Sequence, residues 1–352
     1  MWKILIAFLT HRFLLLLVCL FAINAKISPQ NSGRAIRPIQ PRAILFQELN
    51  KKISEGSEVR ALSMLNQHPV SQVFQLTQDP FLWLARGISF LWQDHALLTV
   101  IILSNLFFLL FLRELYLLSS RMALPEVASG AGILAILWMT SYEMSLGSNL
   151  SLGCFLVTFI FRSAIDNDWI FAGLGFALLA FTDRLALGLL PLIVFLFWHF
   201  NRFDPASEVL KKGLLLSVPV LVSIVLKWRY YQDVWLFVQG SALVKIIGAI
   251  KTGNFAGWPL SQENLGQTIS LLVFLLGAVA AAVVNSSLIL RSLPLLIFLG
   301  VLSFSSYNQL ASRLLLAGIC FEGITATVSG LFIRLIQLAL IILSCYEIVS
   351  LF

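Results

Sequence analysis

"ILAILWMTSYEMSLGSNLSLGCFLVTF" (residues 133–159) holds two apolar runs separated by a polar turn. The turn carries Tyr142, Glu143, Ser145, Ser148 and Asn149. Apolar runs joined by so tight a link read as antiparallel membrane helices, because a helix satisfies its own backbone in lipid and the polar link then lies at the surface. A carboxylate in hydrocarbon is costly, so Glu143 is expected either to be solvated at the surface or to line a polar cavity.

The pattern extends along the chain. Of 352 residues 59% are hydrophobic and only 12% charged, with a mean hydropathy of +0.91. Soluble domains carry about 25% charged residues. The sequence therefore predicts an all-α polytopic membrane protein, a single transmembrane domain over 1–352, with about 10 or 11 helices long enough to cross. Spans are expected near 96–112, 124–141, 148–162, 168–182, 185–200, 212–228, 267–290, 292–305 and 329–350, with 311–327 either a short span or re-entrant.

At the N-terminus, Lys3, His11 and Arg12 precede "FLLLLVCLFAINAK" (13–26), as in a signal peptide. The small-residue pattern at "INA" is poor and many helices follow, so an uncleaved first helix with a cytoplasmic N-terminus is expected. A polar stretch of residues 26–95 follows as a long first extracytoplasmic loop. It opens with the irregular strap "KISPQNSGRAIRPIQPR" (26–42), continues as surface-lying amphipathic helix in "AILFQELNKKISEGSEVRALSMLNQ" (43–67), and ends with "DPFLWLARGISFLWQ" (79–93), which suits an interfacial or re-entrant helix.

The net charge of +7 is assigned to juxtamembrane Lys and Arg that set topology and touch anionic membrane lipids; no nucleic-acid partner is expected. With the N-terminus inside, "RELYLLSSR" (113–121), "RSAIDND" (162–168), "HFNRFDPASEVLKK" (199–212) and Arg291 are cytoplasmic loops rich in positive charge. The first loop, the turn with Glu143, "TDR" (182–184) and the stretch 227–267 then share the outer face.

No nucleotide-binding or metal motif is present, so no cofactor is expected and a metal requirement is left open. His11, His68, His95 and His199 read as interfacial residues, and Cys19, Cys154, Cys320 and Cys345 as packing residues in apolar runs. The ionisable residues on the outer face carry more information: Glu143, Asp183, Arg184, Arg313 and Glu322, with Glu48, Glu55, Glu58, Asp79 and Arg86 from the loop. Asp183 and Arg184 could simply cap a helical hairpin and pair. Together the set predicts an outward cavity whose arginines take a phosphate and whose carboxylates take a sugar or other polar group.

The order of these pieces resembles the GT-C integral-membrane glycosyltransferases, and among them the PIG-V family of the second mannosyltransferase of glycosylphosphatidylinositol assembly and its bacterial relatives. The resemblance covers residues 79–200. It rests on "LSN" at Leu103–Asn105, "LY" at Leu115–Tyr116, Tyr142, Glu143 and Ser145 in the polar turn, and Thr182, Arg184, Gly188 and Pro191 after it; a fainter echo keeps Arg313. It implies transfer of a mannose-like sugar from a polyprenyl-phosphate donor to an acceptor on the outer face, with a first-loop acid as general base. The family writes that acid within a Trp-Asp pair. This chain has "LFQELNKKISEG" (45–56) there, with Ile53 and Gly56 in place and no Trp-Asp. Glu48 is the carboxylate nearest the base position; Tyr142, Glu143, Asp183, Arg184 and Arg313 are the candidate substrate-binding set, with Arg184 on the donor phosphate. The missing Trp-Asp leaves a noncatalytic scaffold or assembly partner open, and, with less in its favour, a transporter.

Overall fold

The computed structural model describes residues 2–13, 57–67, 77, 79–92, 95–122, 132–133, 135–136, 147–183, 185–227, 239, 241–252, 275, 279, 292, 296–297 and 299–303. All regular structure among them is helical. The helices are α1 (residues 2–13), α2 (Ser57–Leu65), α3 (Pro80–Ser89, followed by a single 3-10 turn), α4 (Ala96–Met122), α5 (Leu150–Ile165), α6 (Trp169–Thr182), α7 (Leu185–Asn201), α8 (Ala206–Leu226) and α9 (Ala242–Thr252).

Local chemistry explains several boundaries. Asp79 is the extended N-cap of α3, its Oδ1 accepting the Phe81 N–H at 2.9 Å, and Pro80 occupies the first turn, where no N–H donor is needed. Asn167 takes a left-handed backbone (φ 62°) between α5 and α6, a conformation Asn tolerates. Asp183 ends α6 in an extended backbone, and its carbonyl accepts the Ala186 N–H at 3.3 Å as α7 begins. Between α7 and α8 the Lys212 ammonium holds Asp204 Oδ2 at 2.6 Å and Asn201 Oδ1 at 3.1 Å.

Two expected loops are corrected. Residues 113–121 are the last turns of α4: Glu114 turns inward, 2% exposed, onto the Arg162 guanidinium, so the charged stretch continues the helix. α8 starts at Ala206 behind Pro205, not at 212, because "SEVLKK" forms its first turns with Glu208 at the positive helix end.

Short links make α5, α6, α7 and α8 run alternately in opposite directions, with α5 and α6 packed as a hairpin. α4 packs on α5, α6 packs on α5 and α8, and α2 and α3 rest on α4. Aromatic rings fill the centre: Phe108 stacks on Phe111 at 5.7 Å and the buried Trp169 meets Phe197 edge-on at 4.9 Å. Gly173 lets α6 and α8 approach closely, since a Cβ there would lie 2.8 Å from the carbonyl oxygens of both Leu215 and Leu216.

Ala96–Arg121 and Ala206–Leu226 are long and apolar enough to cross a membrane. The helices Leu150–Ile165, Trp169–Thr182 and Ala186–Asn201 are apolar but shorter. At 1.5 Å per residue α6 is about 21 Å long, against roughly 30 Å of hydrocarbon.

Candidate functional site

The alternating order sends the starts of α4, α5 and α7 and the ends of α6 and α8 to one end of the bundle. Asp79 lies there. Its Oδ2 accepts a hydrogen bond from Asn149 Nδ2 at 3.2 Å, linking the end of the first loop to the polar turn before α5. Burial pushes the Asp79 carboxyl above its ordinary 3.8; the Phe81 N–H, the Asn149 amide and the Lys227 charge pull it back, and the Glu58 charge adds to the rise.

The polar turn is anchored to α4 by the "LSN" serine. Ser104 Oγ donates to the Ser148 carbonyl at 2.8 Å, lies 3.1 Å from Ser151 Oγ and accepts the Ser148 N–H at 3.2 Å. Gly147 precedes it with φ 98° and is buried so closely that a Cβ would lie 2.7 Å from Val100 Cγ1. The backbone that delivers Asn149 to Asp79 is therefore fixed on both sides. Asn105, the neighbouring motif residue, turns its amide back to the Ile101 carbonyl at 2.9 Å.

Beside Asp79, the Trp83 indole donates to the Thr77 carbonyl at 2.8 Å and its ring lies 5.9 Å from that of Phe181. Lys227 is buried, its ammonium donating to the Phe181 carbonyl and lying 5.7 Å from the centre of its ring. A cation at the carbonyl end of α6 is favoured by the helix dipole. A half-buried carboxylate, an amide, an ammonium and two aromatic rings thus converge at one end.

The opposite end is a ladder of charges. Glu114 bonds Arg113 at 2.9 Å and Arg162; Arg162 bonds Asp166 at 3.3 Å; Asp166 bonds Arg121. Each carboxylate there is matched by two guanidiniums, which makes the ladder a clasp between α4 and α5.

Of the residues expected to form the site, Asp183 is seen at the α6–α7 link, half-buried, at the same end as Asp79. Glu48, Tyr142, Glu143, Arg184 and Arg313 lie outside the described residues, as do Glu55 and Glu322. Glu58 is half-buried, and its charge reaches Asp79. Asn149 and Lys227 were not expected in the site. An amide in a polar turn and a lysine closing an apolar run were their only signals. Among the described residues no three His, Cys, Asp or Glu side chains gather as a metal site, and Cys154 is a buried free thiol. No family model, curated protein or solved structure matches the chain.

Proposed function

We propose that the chain is a multi-pass membrane glycosyltransferase that moves a mannose-like sugar from a polyprenyl-phosphate donor to an acceptor hydroxyl on the extracytoplasmic face. The observation that supports this most is a half-buried first-loop carboxylate, Asp79, hydrogen-bonded to the turn that follows Tyr142 and Glu143. The resemblance implies a general base from the first loop, where Glu48 is nearest the expected position and Asp79 is a further first-loop acid.

Sidedness follows from charge. The end bearing Arg113, Arg121, Arg162, Arg202, Lys211 and Lys212 is cytoplasmic under the positive-inside rule, and the Asp79 end is outside. The helices shorter than a bilayer core are bracketed by polar residues at both ends, Asp168 and Asp183 for α6, as short spans would be.

In the reaction the acceptor oxygen bonds to the sugar's anomeric carbon while the bond from that carbon to the donor phosphate oxygen breaks. Polyprenyl phosphate leaves with the electron pair, and the hydroxyl proton passes to the carboxylate. Asp79 suits that role: a carboxylate with a raised proton affinity, partly shielded from water, accepts a proton more readily than a solvated one. Glu48 is the competing base. Arg184 and Asp183, at the same turn of the chain, are assigned to the donor phosphate and the sugar.

One observation favours a noncatalytic scaffold instead. Both Asp79 oxygens already accept hydrogen bonds from the fold, the pattern of a structural cap. The test is transfer of labelled mannose from polyprenyl-phosphate mannose by the purified chain in proteoliposomes. The enzyme reading predicts transfer by the wild type and a loss of about 100-fold or more in Asp79→Asn, with Glu48→Gln near normal. The reverse order of the two variants makes Glu48 the base. No transfer by the wild type with any polyprenyl-phosphate sugar favours the scaffold.

A further inference from the structure

The turn between α7 and α8, at the end of the bundle that holds the ladder, points its largest side chains outward. Phe203 is 86% exposed and Trp198 56%. Arg202 ties the two together: its guanidinium lies 6.0 Å from the centre of the Trp198 ring and 4.7 Å from that of Phe203. Val194, Trp198 and Arg202, each exposed and four positions apart, carry one face of the chain from aliphatic to aromatic to cationic. A bilayer has the same order from its core to its headgroups, with Trp at the interface and Arg reaching the phosphates.

The neighbouring charges say which headgroup fits. In the ladder, Arg113, Arg121 and Arg162 are each engaged by Glu114 or Asp166. In the turn itself, Lys212 takes Asp204 at 2.6 Å. Arg202 and the exposed Lys211 pair with no carboxylate among the described residues. Glu208, exposed in the first turn of α8, offsets one charge and leaves the two cations net positive. A guanidinium is a planar fork of donors that fits a phosphate, and the two rings hold it at the surface.

We propose that the α7–α8 turn is a membrane anchor, with Phe203 and Trp198 entering the cytoplasmic leaflet and Arg202, beside Lys211, holding the phosphate of an anionic phospholipid. The cations at this end then divide into those that hold the fold and those that hold lipid. The proposal uses the orientation of the bundle and no part of the transfer reaction, so it stands or falls apart from the enzyme reading.

The test uses the full chain in nanodiscs of mixed phosphatidylcholine and phosphatidylglycerol. A nitroxide on Phe203→Cys, with Cys19, Cys154, Cys320 and Cys345 changed to alanine, should collide with oxygen more often than with an aqueous nickel chelate. More frequent collision with the chelate overturns the insertion. Shielding from both probes puts a second copy of the chain over the turn and overturns it equally. In native mass spectra the wild type should retain phosphatidylglycerol in preference to phosphatidylcholine. One charge at the membrane surface changes lipid affinity about fivefold, so Arg202→Gln should lower that preference about fivefold. Arg121→Gln removes the same charge from a guanidinium already engaged by Asp166, and should stay within about twofold of the wild type. No preference in the wild type, an unchanged preference in Arg202→Gln, or an equal loss in both variants overturns the headgroup contact.

Discussion

Asp79 and Asn149, 70 positions apart, share a hydrogen bond of 3.2 Å at one end of the helix bundle. The bond joins the N-cap of α3 to the turn that starts α5, so an acid of the first loop is held against the polar motif by direct contact. A hydrogen bond to a charged group contributes about 1.5–3 kcal/mol.

Replacing Asn149 tests this contact in two ways. Asn149→Ala should lower the unfolding temperature in detergent micelles. Asn149→Asp should lower it further at neutral pH, by setting two carboxylates together, and acidification should relieve that extra loss. An Asn149→Asp protein as stable as wild type at neutral pH would show that the two side chains do not meet.

The Asp79 carboxyl is raised above 3.8, chiefly by burial. Between that value and its raised one, the folded chain binds more protons than the unfolded chain. Its contribution to stability therefore falls as pH rises through the window, and the penalty is full above it. Asn caps a helix about as well as Asp and does not titrate. Asp79→Asn should thus gain on the wild type in unfolding temperature as pH rises from about 4, levelling off at higher pH. A wild type that gains on the variant over the same range contradicts the burial of a charged Asp79.

Charge patterning identified the polar ends of the bundle but not where α4 stops. "RELYLLSSR" carries the charges expected of a loop, but Leu115 and Leu118 are buried at helical spacing and Glu114 pairs with Arg162 on another helix, so it is the end of a helix. Ends marked by local chemistry were legible: Asp168 and Asp183 bracket α6 within a residue of the expected 168–182, and the Asp-Pro pair starts α3. Asp79 and Asp183, two of the acids expected on one face, lie at one end of the bundle, whereas Glu48, Glu143 and Arg184 lie outside the described residues. Asp79 is marked locally by the proline that follows it, but its bond to Asn149 depends on a partner 70 positions along the chain, which no local pattern reveals.

Glu114 is 2% exposed and holds Arg162. Removing one partner of a buried pair costs about 3–5 kcal/mol. Glu114→Ala should therefore unfold many degrees below wild type, whereas Arg113→Ala should change stability by less than about 1 kcal/mol, because its side chain is 57% exposed. Equal effects of the two variants would remove the clasp.

At Gly173 a Cβ meets two backbone oxygens of α8, which cannot rotate away. Gly173→Ala should push α6 from α8 at a cost on the order of 1–3 kcal/mol, read as a lower unfolding temperature. A neutral or stabilising Gly173→Ala would mean that the two helices are further apart.

In the proposed orientation the two polar ends lie on opposite sides of a membrane, with the Asp79 end outside. Single cysteines at Glu143, in the polar turn, and at Arg121, on the charged ladder, test it in intact cells with a membrane-impermeant maleimide. Glu143→Cys should label from outside, and Arg121→Cys only after the membrane is opened. Labelling of Glu143→Cys from the cytoplasmic side alone, or of both positions from one side, contradicts it.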